Sequence, residues 1–333
     1  MLDDRKAAIL RVVVEEYVQT AQPVGSATVA KQPELAVSSA TVRNEMGLLE
    51  REGYLVQPHT SAGRIPTDKG YRFFVDSLTK PGPLDAARSQ QVRAFFASAH
   101  GELEQMLHDT TTLLSGLTDY AAVVVGPSHE VATIRSVQLV GLGPRFVLLV
   151  AVLSNGAVEK RSLELGIEVS DAQLSAASAH LASHLVGHPL GASVAVPQSG
   201  DPVVDSLTEQ AHQALEGSHD HELDSVFVGG AARMATAFDA VDTIRRVLSI
   251  LEQQYSVVTL LQDVLNRGLS VAIGTEHGVR PLAECSVVVA PYEVEGELAG
   301  TVGVLGPTRM RYEQALAAVA VVSNRLGRAL TEG

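Results

Sequence analysis

The sequence predicts an α+β protein of several domains, and three observations carry that prediction. Residues 1 to 80 read as three helices followed by a short hairpin; Pro81, Gly82 and Pro83 then interrupt the chain; the remainder runs strands, a helix-rich block and strands again. Strands on both sides of a helical block suggest one α+β domain with an insertion. At 333 residues, 46% of them hydrophobic, the chain is too long for one ordinary core and can fill two or three.

In the first 20 residues Ile9, Leu10, Val13, Val14, Tyr17 and Val18 form one helical stripe, with charges opposite. Pro23 follows, and Val24, Gly25 and Ser26 open a short second helix over residues 27 to 31, before Pro33. A third helix starts at Ser39, the expected N-cap, and turns Val42, Met46 and Leu49 toward a core. Its other face carries Ala40, Arg43, Asn44, Gly47 and Arg51. Small residues permit close approach to another surface, and Arg and Asn make bidentate contacts to guanine and adenine edges, so this is the composition of a DNA recognition helix.

Gly53 ends that helix, and Tyr54, Leu55 and Val56 favour a strand that stops at Pro58. His59, Thr60, Ser61, Ala62 and Gly63 make a polar tip, from which Arg64, Ile65 and Pro66 return; Thr67 is the expected N-cap of a helix over residues 68 to 78. Two strands around a polar tip, directly after a recognition helix, make a winged helix-turn-helix, whose wing follows the phosphate backbone or the minor groove. Arg43 and Asn44 are therefore candidates for base edges, and Ser39 and Thr41 for phosphate at the helix N-terminus. Arg51, the tip residues His59, Thr60 and Ser61, and the basic Arg64, Lys69 and Arg72 complete the candidate DNA-binding set. The competing readings are a solvated surface charge at each basic position, and a small helical domain whose hairpin serves protein contacts.

The net charge is -13, but its distribution is uneven. Residues 1 to 80 hold ten basic and ten acidic side chains, and the other residues hold fifteen and twenty-eight. Phosphate repels an acidic body, which would sit away from a duplex while the neutral head makes contact. A purely non-specific binder would be strongly basic. The lone cysteine, Cys285, excludes an internal disulfide and fits a reducing compartment; in ECSVVVAPY it reads as a strand core residue. No apolar run is long enough for a membrane span, and the opening MLDDRK has no signal-peptide core, so a soluble cytoplasmic protein is expected.

Past the Pro-Gly-Pro break, Val92, Phe95, Phe96, Ala99, Leu103, Met106, Leu107, Leu113, Leu114 and Leu117 mark one long amphipathic helix, lining either a core or a subunit seam. Strand-like runs begin at Ala121, Ser136, Arg145 and Val158, with turns at Gly143-Pro144 and Asn155-Gly156, so antiparallel pairing is expected. Helical patterns occupy 171–186, 202–216, 241–254 and 256–266 within a helical block from 171 to 265. Strands resume at Leu269, Ser286 and Gly300, and a last helix carries Tyr312, Leu316, Val319, Ser323, Leu326 and Leu330.

Other chemistry finds little support. His180, His184 and His188 stand four apart, which suits metal ligands, but Gly187 and Pro189 end the helix at the third position and a solvated or interfacial histidine face is the simpler reading. His219 and His221 flank Asp220 in a polar loop. There is no GxxxxGK[ST] phosphate loop, VGLGPRF lacks a third glycine, and there is no GxSxG elbow. No enzyme activity, metal or cofactor is expected.

The run SSATVRNEMGLLEREGYLVQPHTSAGRIPTDKGYRFFVD, Ser38 to Asp76, resembles the signature of the bacterial heat-inducible transcription repressor family, HrcA. VGVLGPTRMRY, Val302 to Tyr312, also resembles a family segment, and Gly47 and Phe74 are mild departures. The resemblance implies a winged helix over 1–80, a linker and long helix over 81–120, a GAF-like domain over 121–165 and 263–333, and an inserted dimerising domain over 166–262. It further implies a homodimer that binds an inverted-repeat operator in double-stranded DNA, represses chaperone operons and is kept active by the GroEL chaperonin. A winged-helix regulator switched by a small ligand in the GAF-like domain is the alternative. An enzyme with an incidental helix-turn-helix is a third reading.

Overall fold

The computed structural model describes residues 2–332 apart from 34, 36, 60–61, 79–81, 99–102, 128–131, 155–157, 217–225, 234–240, 252 and 267–269. Its amino-terminal part holds α1 (Asp4–Thr20), α2 (Ser26–Val29), α3 (Ser39–Arg51), β1 (Leu55–Val56), β2 (Ile65–Pro66) and α4 (Asp68–Ser77). The expected stripe of α1 is the buried one, with Ile9, Leu10, Val13 and Val14 fully enclosed. They meet Val42, Met46 and Leu49 of α3 and Tyr71, Phe74 and Val75 of α4. Burying one such side chain fully contributes about 1.5–3 kcal/mol, so this part of the core is what holds four helices and a two-stranded hairpin together.

After the linker come α5 (Ala86–Ser98) and α6 (Leu103–Thr118), on either side of residues 99–102. The single long helix expected there crosses residues outside the described ones. The body continues with β3 (Ala121–Val125), β4 (Ile134–Gly143), β5 (Phe146–Leu153), β6 (Val158–Glu164), α7 (Asp171–Leu185), α8 (Pro202–Glu216) and β7 (Val226–Gly229). It closes with α9 (Val241–Leu251), α10 (Gln254–Asn266), β8 (Val271–Ile273), β9 (Cys285–Val294), β10 (Glu297–Pro307) and α11 (Tyr312–Glu332). Two 3-10 turns, Gly274–His277 and Arg280–Leu282, link β8 to β9.

These elements form two separate sheets. The first has five antiparallel strands in the order β7-β3-β10-β9-β8. Successive side chains of a strand point to opposite faces, and both faces here are covered. Val124, Val288, Val302 and Val304 meet α6 and α11, while Val123, Val287 and Val289 meet α9 and α10. That explains the near-continuous valine runs in the sequence: each strand has a core on both sides.

The second sheet, β4-β5-β6, is separate. One face packs on α7 and α8 in a core of its own, from Ala132 to Leu215, that includes Leu149, Leu153, Leu181 and Leu207. Strands β4 to β6, α7 and α8 thus share a core apart from that of the five-stranded sheet. Strand periodicity shows that β4 to β6 exist but not which sheet they join. β7, which the sequence patterns do not predict, lies inside the helix-rich block and pairs with β3. The helices after it cover the five-stranded sheet. Chain departs from β3 and returns to its neighbour β7, so a whole subdomain is accommodated without disturbing the sheet.

Candidate nucleic-acid interface

The exposed face of α3 is the most distinctive polar surface of the head. Ser38, not Ser39, is the N-cap: its Oγ accepts from the Thr41 backbone N–H at 3.2 Å and lies 3.0 Å from Thr41 Oγ1. Ser39 instead bonds Ser26 Oγ at 3.1 Å, joining α3 to α2. Both hydroxyls expected to touch phosphate are thus already used in fixing the start of the helix, although each keeps spare hydrogen-bonding capacity. One turn further on, Arg43 and Asn44 are exposed, and among the described residues neither side chain makes a hydrogen bond or ion pair. Ala40 is exposed beside them, and Arg51, also exposed, reaches back to the Gly47 carbonyl at 3.4 Å.

The wing is built tightly against this helix. β1 and β2 pair through Leu55 with Pro66 and Val56 with Ile65, and Val24 extends the ladder by bridging Arg64, with 2.9 Å bonds in both directions. Gly63 makes the approach possible, because a Cβ there would lie 2.4 Å from the Val24 carbonyl oxygen. Gln57 Nε2 donates to the Ala62 carbonyl at 2.8 Å across the tip. His59 is exposed at that tip, while Thr60 and Ser61 lie outside the described residues. Thr67 caps α4 as expected, accepting from Gly70 N at 3.2 Å and donating to the Gly53 carbonyl at 2.7 Å.

The remaining basic candidates are placed differently from one another. Arg64 sits on the wing but is paired with Glu50 of α3 at 2.9 Å. Lys69 donates to the Glu52 carbonyl at 2.8 Å and lies 4.3 Å from the centroid of the Tyr54 ring, so its ammonium caps the carboxyl end of α3. Arg72 is engaged with the body. It points into the body, where Nε donates to Glu276 Oε1 at 2.9 Å, Nη2 also bonds Glu276 Oε2, and Nη2 donates to the Val271 carbonyl at 2.7 Å. The sequence places Arg72 in the helix that follows the hairpin without revealing that the body occupies that side.

These pairings shape the field around α3. Glu50 is neutralised by Arg64, and Glu52 by Lys6 at 2.9 Å. Glu45 keeps one buried carboxylate oxygen with no partner among the described residues. Among the described residues, positive charge on the α3 face without an acidic partner comes from Arg43 and Arg51, so the local potential there is positive although the head as a whole is neutral.

Elsewhere the chemistry is structural. Burial pushes the Cys285 thiol up to about 12, so it is a core residue and a poor nucleophile. His180 Nε2 donates to the Pro197 carbonyl at 2.7 Å and His184 Nδ1 to the His180 carbonyl at 2.9 Å, which ties both rings to backbone. His219, Asp220 and His221 lie outside the described residues. Between the five-stranded sheet and α9 and α10 the cavity lined by Val123, Leu260, Leu261 and Val287 measures about 10 Å³, room for roughly one water and not for a metabolite. No helix among the described residues is long and apolar enough to cross a membrane.

A helix-and-hairpin head latched to a two-sheet body defines a multidomain α+β protein whose head presents Arg43 and Asn44 on the exposed face of α3. Comparison with known proteins identifies the class. Residues 104–316 match the model of the HrcA protein C-terminal domain. Heat-inducible transcription repressor HrcA of Nocardia farcinica is 40% identical, over 99% of this chain and 97% of its own length. The protein of the same name from Symbiobacterium thermophilum is 39% identical over 98% of each chain. A crystal structure described as that of a hypothetical protein superposes with a TM-score of 0.69 at 23% identity, covering 100% of this chain and 99% of its own, which shows a shared fold. The chain belongs to the HrcA family, a family of transcription repressors and not of enzymes.

Proposed function

We propose that the protein represses chaperone operons by seating α3 of each of two subunits in successive major grooves of an inverted-repeat operator. The observation that carries this reading is the pair Arg43 and Asn44, exposed and unpaired on α3 beside the wing. Arg43 and Asn44 read base edges, Arg51 and the backbone at the start of α3 meet phosphate, and the wing, with Arg64, His59, Thr60 and Ser61, follows the adjoining backbone. Ser39 and Thr41 chiefly fix the helix start. Lys69 adds positive potential at the far end of α3.

Two identical heads match the two halves of an inverted repeat only if the subunits are related by a two-fold axis. The outer face of β4-β5-β6 supports such a dimer. Val140, Leu142, Phe146 and Val158 on that sheet are 44%, 61%, 51% and 47% exposed, an apolar surface that a second copy would cover. Assignment of the two-sheet body to a GAF-like domain with an inserted dimerising domain rests on the family resemblance, as do cytoplasmic location and support of repression by the GroEL chaperonin. Footprinting on DNA upstream of a chaperonin operon tests the reading. Protection of a two-fold-related pair of half-sites is expected, and protection that is absent or indifferent to sequence would end it.

A further inference from the structure

The head is fixed to the body at two points on one face of α4. Asp68 and Arg72 are four residues apart, hence neighbours on the helix surface, and they engage successive residues of the 3-10 turn after β8. Asp68 Oδ2 accepts from Thr275 N and from Thr275 Oγ1, each at 3.2 Å. Arg72 makes its paired bonds to Glu276, and the same Glu276 carboxylate accepts the Ile273 N–H at 2.9 Å, so the receiving carboxylate is itself held. Gly274 is at φ 55°, and a Cβ there would lie 2.3 Å from Asp68 Oδ2. The turn is therefore shaped to admit that carboxylate. Beside the latch Tyr71 packs on Tyr312 with ring centroids 5.9 Å apart, and the apolar core runs without a break from Ile9 in α1 to Leu326 in α11.

A bidentate guanidinium-carboxylate pair fixes direction as well as distance. Together with a second anchor one helical turn away, it resists rotation of α4 about either contact. Because α4 shares its core with α3, the orientation of α3 follows that of α4.

We propose that Arg72 and Glu276, with Asp68 on Thr275, are positioning residues that set the angle of each head on its body and thereby the half-site spacing that the dimer accepts. This rests on the operator-binding reading above. A head that swings freely adapts to several spacings, whereas a latched one is penalised by a displacement of about 3.4 Å, one base-pair step. Neither residue needs to touch DNA for this role.

The test uses the full chain and duplexes carrying two copies of the footprinted half-site, with the spacer varied one base pair at a time across about one helical turn, beside a duplex with a single half-site. The wild type is expected to show a sharp spacing optimum. Glu276→Gln, and Arg72→Glu separately, should lower the ratio of best to worst spacing by about tenfold while single-half-site affinity stays unchanged. Combining Arg72→Glu with Glu276→Arg should restore the sharp profile. Thr275→Val, a milder change at the second anchor, should broaden it partially and serves if either charge variant fails to fold. A wild-type spacing profile in the folded variants would overturn the proposal. So would an equal loss on single half-sites, because Arg72 would then be a direct DNA contact. If the wild type itself gained nothing from a second half-site, the operator reading would fail and this proposal with it.

Discussion

Arg64 Nε and Glu50 Oε2 meet at 2.9 Å, joining the returning strand of the wing to the last turn of α3. The pair ties the hairpin to α3, so in the proposed complex the two would meet a duplex as one unit. It also leaves the Arg64 guanidinium only partly exposed, with one edge committed to the carboxylate and the other donors available. Arg64→Ala should therefore weaken operator and random DNA alike and reduce the slope of log affinity against log salt by about one unit. A salt titration on both duplexes measures this. A change in base preference with an unaltered slope would place Arg64 at a base edge instead.

Arg43 gives the opposite signature. It is exposed and unpaired on α3, so its alanine variant leaves the fold intact and removes only what it contacts in the complex. Arg43→Ala should cost about 1–3 kcal/mol on the operator and relax selectivity at one base position. Binding to a panel of single-base operator variants reads this directly. Equal losses on operator and random sequence would make Arg43 a phosphate contact.

Gly63 tests whether the wing must pack this closely. A side chain at this position would bring its Cβ to 2.4 Å from the Val24 carbonyl oxygen, a backbone atom that cannot rotate away. Gly63→Val should cost about 3 kcal/mol or more of head stability. It should also abolish operator binding while the body keeps its fold. Differential hydrogen exchange across α1, α3 and α4 against the five-stranded sheet provides the measurement. Unchanged operator affinity would show that the wing can leave Val24 without consequence.

A pH dependence follows from His277, which lies in the turn that receives α4. Its Nε2 donates to the Leu282 carbonyl at 3.0 Å and its Nδ1 accepts the Val279 N–H at 3.2 Å, an arrangement only the neutral ring can make. Burial depresses its pKa below the ordinary 6.5. Below that value the unfolded chain binds a proton that the folded chain resists, so the stability contribution is present above about pH 6.5 and is lost as pH falls through the depressed folded value. The melting temperature of the wild type should fall more steeply than that of His277→Gln between pH 7 and pH 5, a range set by the reference histidine value. Parallel curves would contradict it.

Much of the head was legible because short-range physics decides it. Val42, Met46 and Leu49 define the buried face of α3 by spacing alone, and Thr67 caps α4 where a hydroxyl precedes a helical stripe. Ser38 and Ser39 are chemically equivalent as caps, and only the backbone geometry, extended at Ser38, separates them. Long-range assignments were hidden. Nothing near Arg72 in the sequence announces Glu276, 204 positions away, and alternation within β4 to β6 says nothing about which sheet those strands enter. β7, four residues long in a helix-rich block, is a strand because β3 offers it an edge.

The central claim is that two copies of the chain read a symmetric duplex through Arg43 and Asn44. Its most direct test is the affinity and stoichiometry of the full chain on the footprinted inverted repeat and on a scrambled duplex of equal length and composition, at one salt concentration. Two chains per duplex, with a preference for the repeat of about a thousandfold or more, is the expected result. Indistinguishable affinities, or one chain bound per repeat, would contradict it.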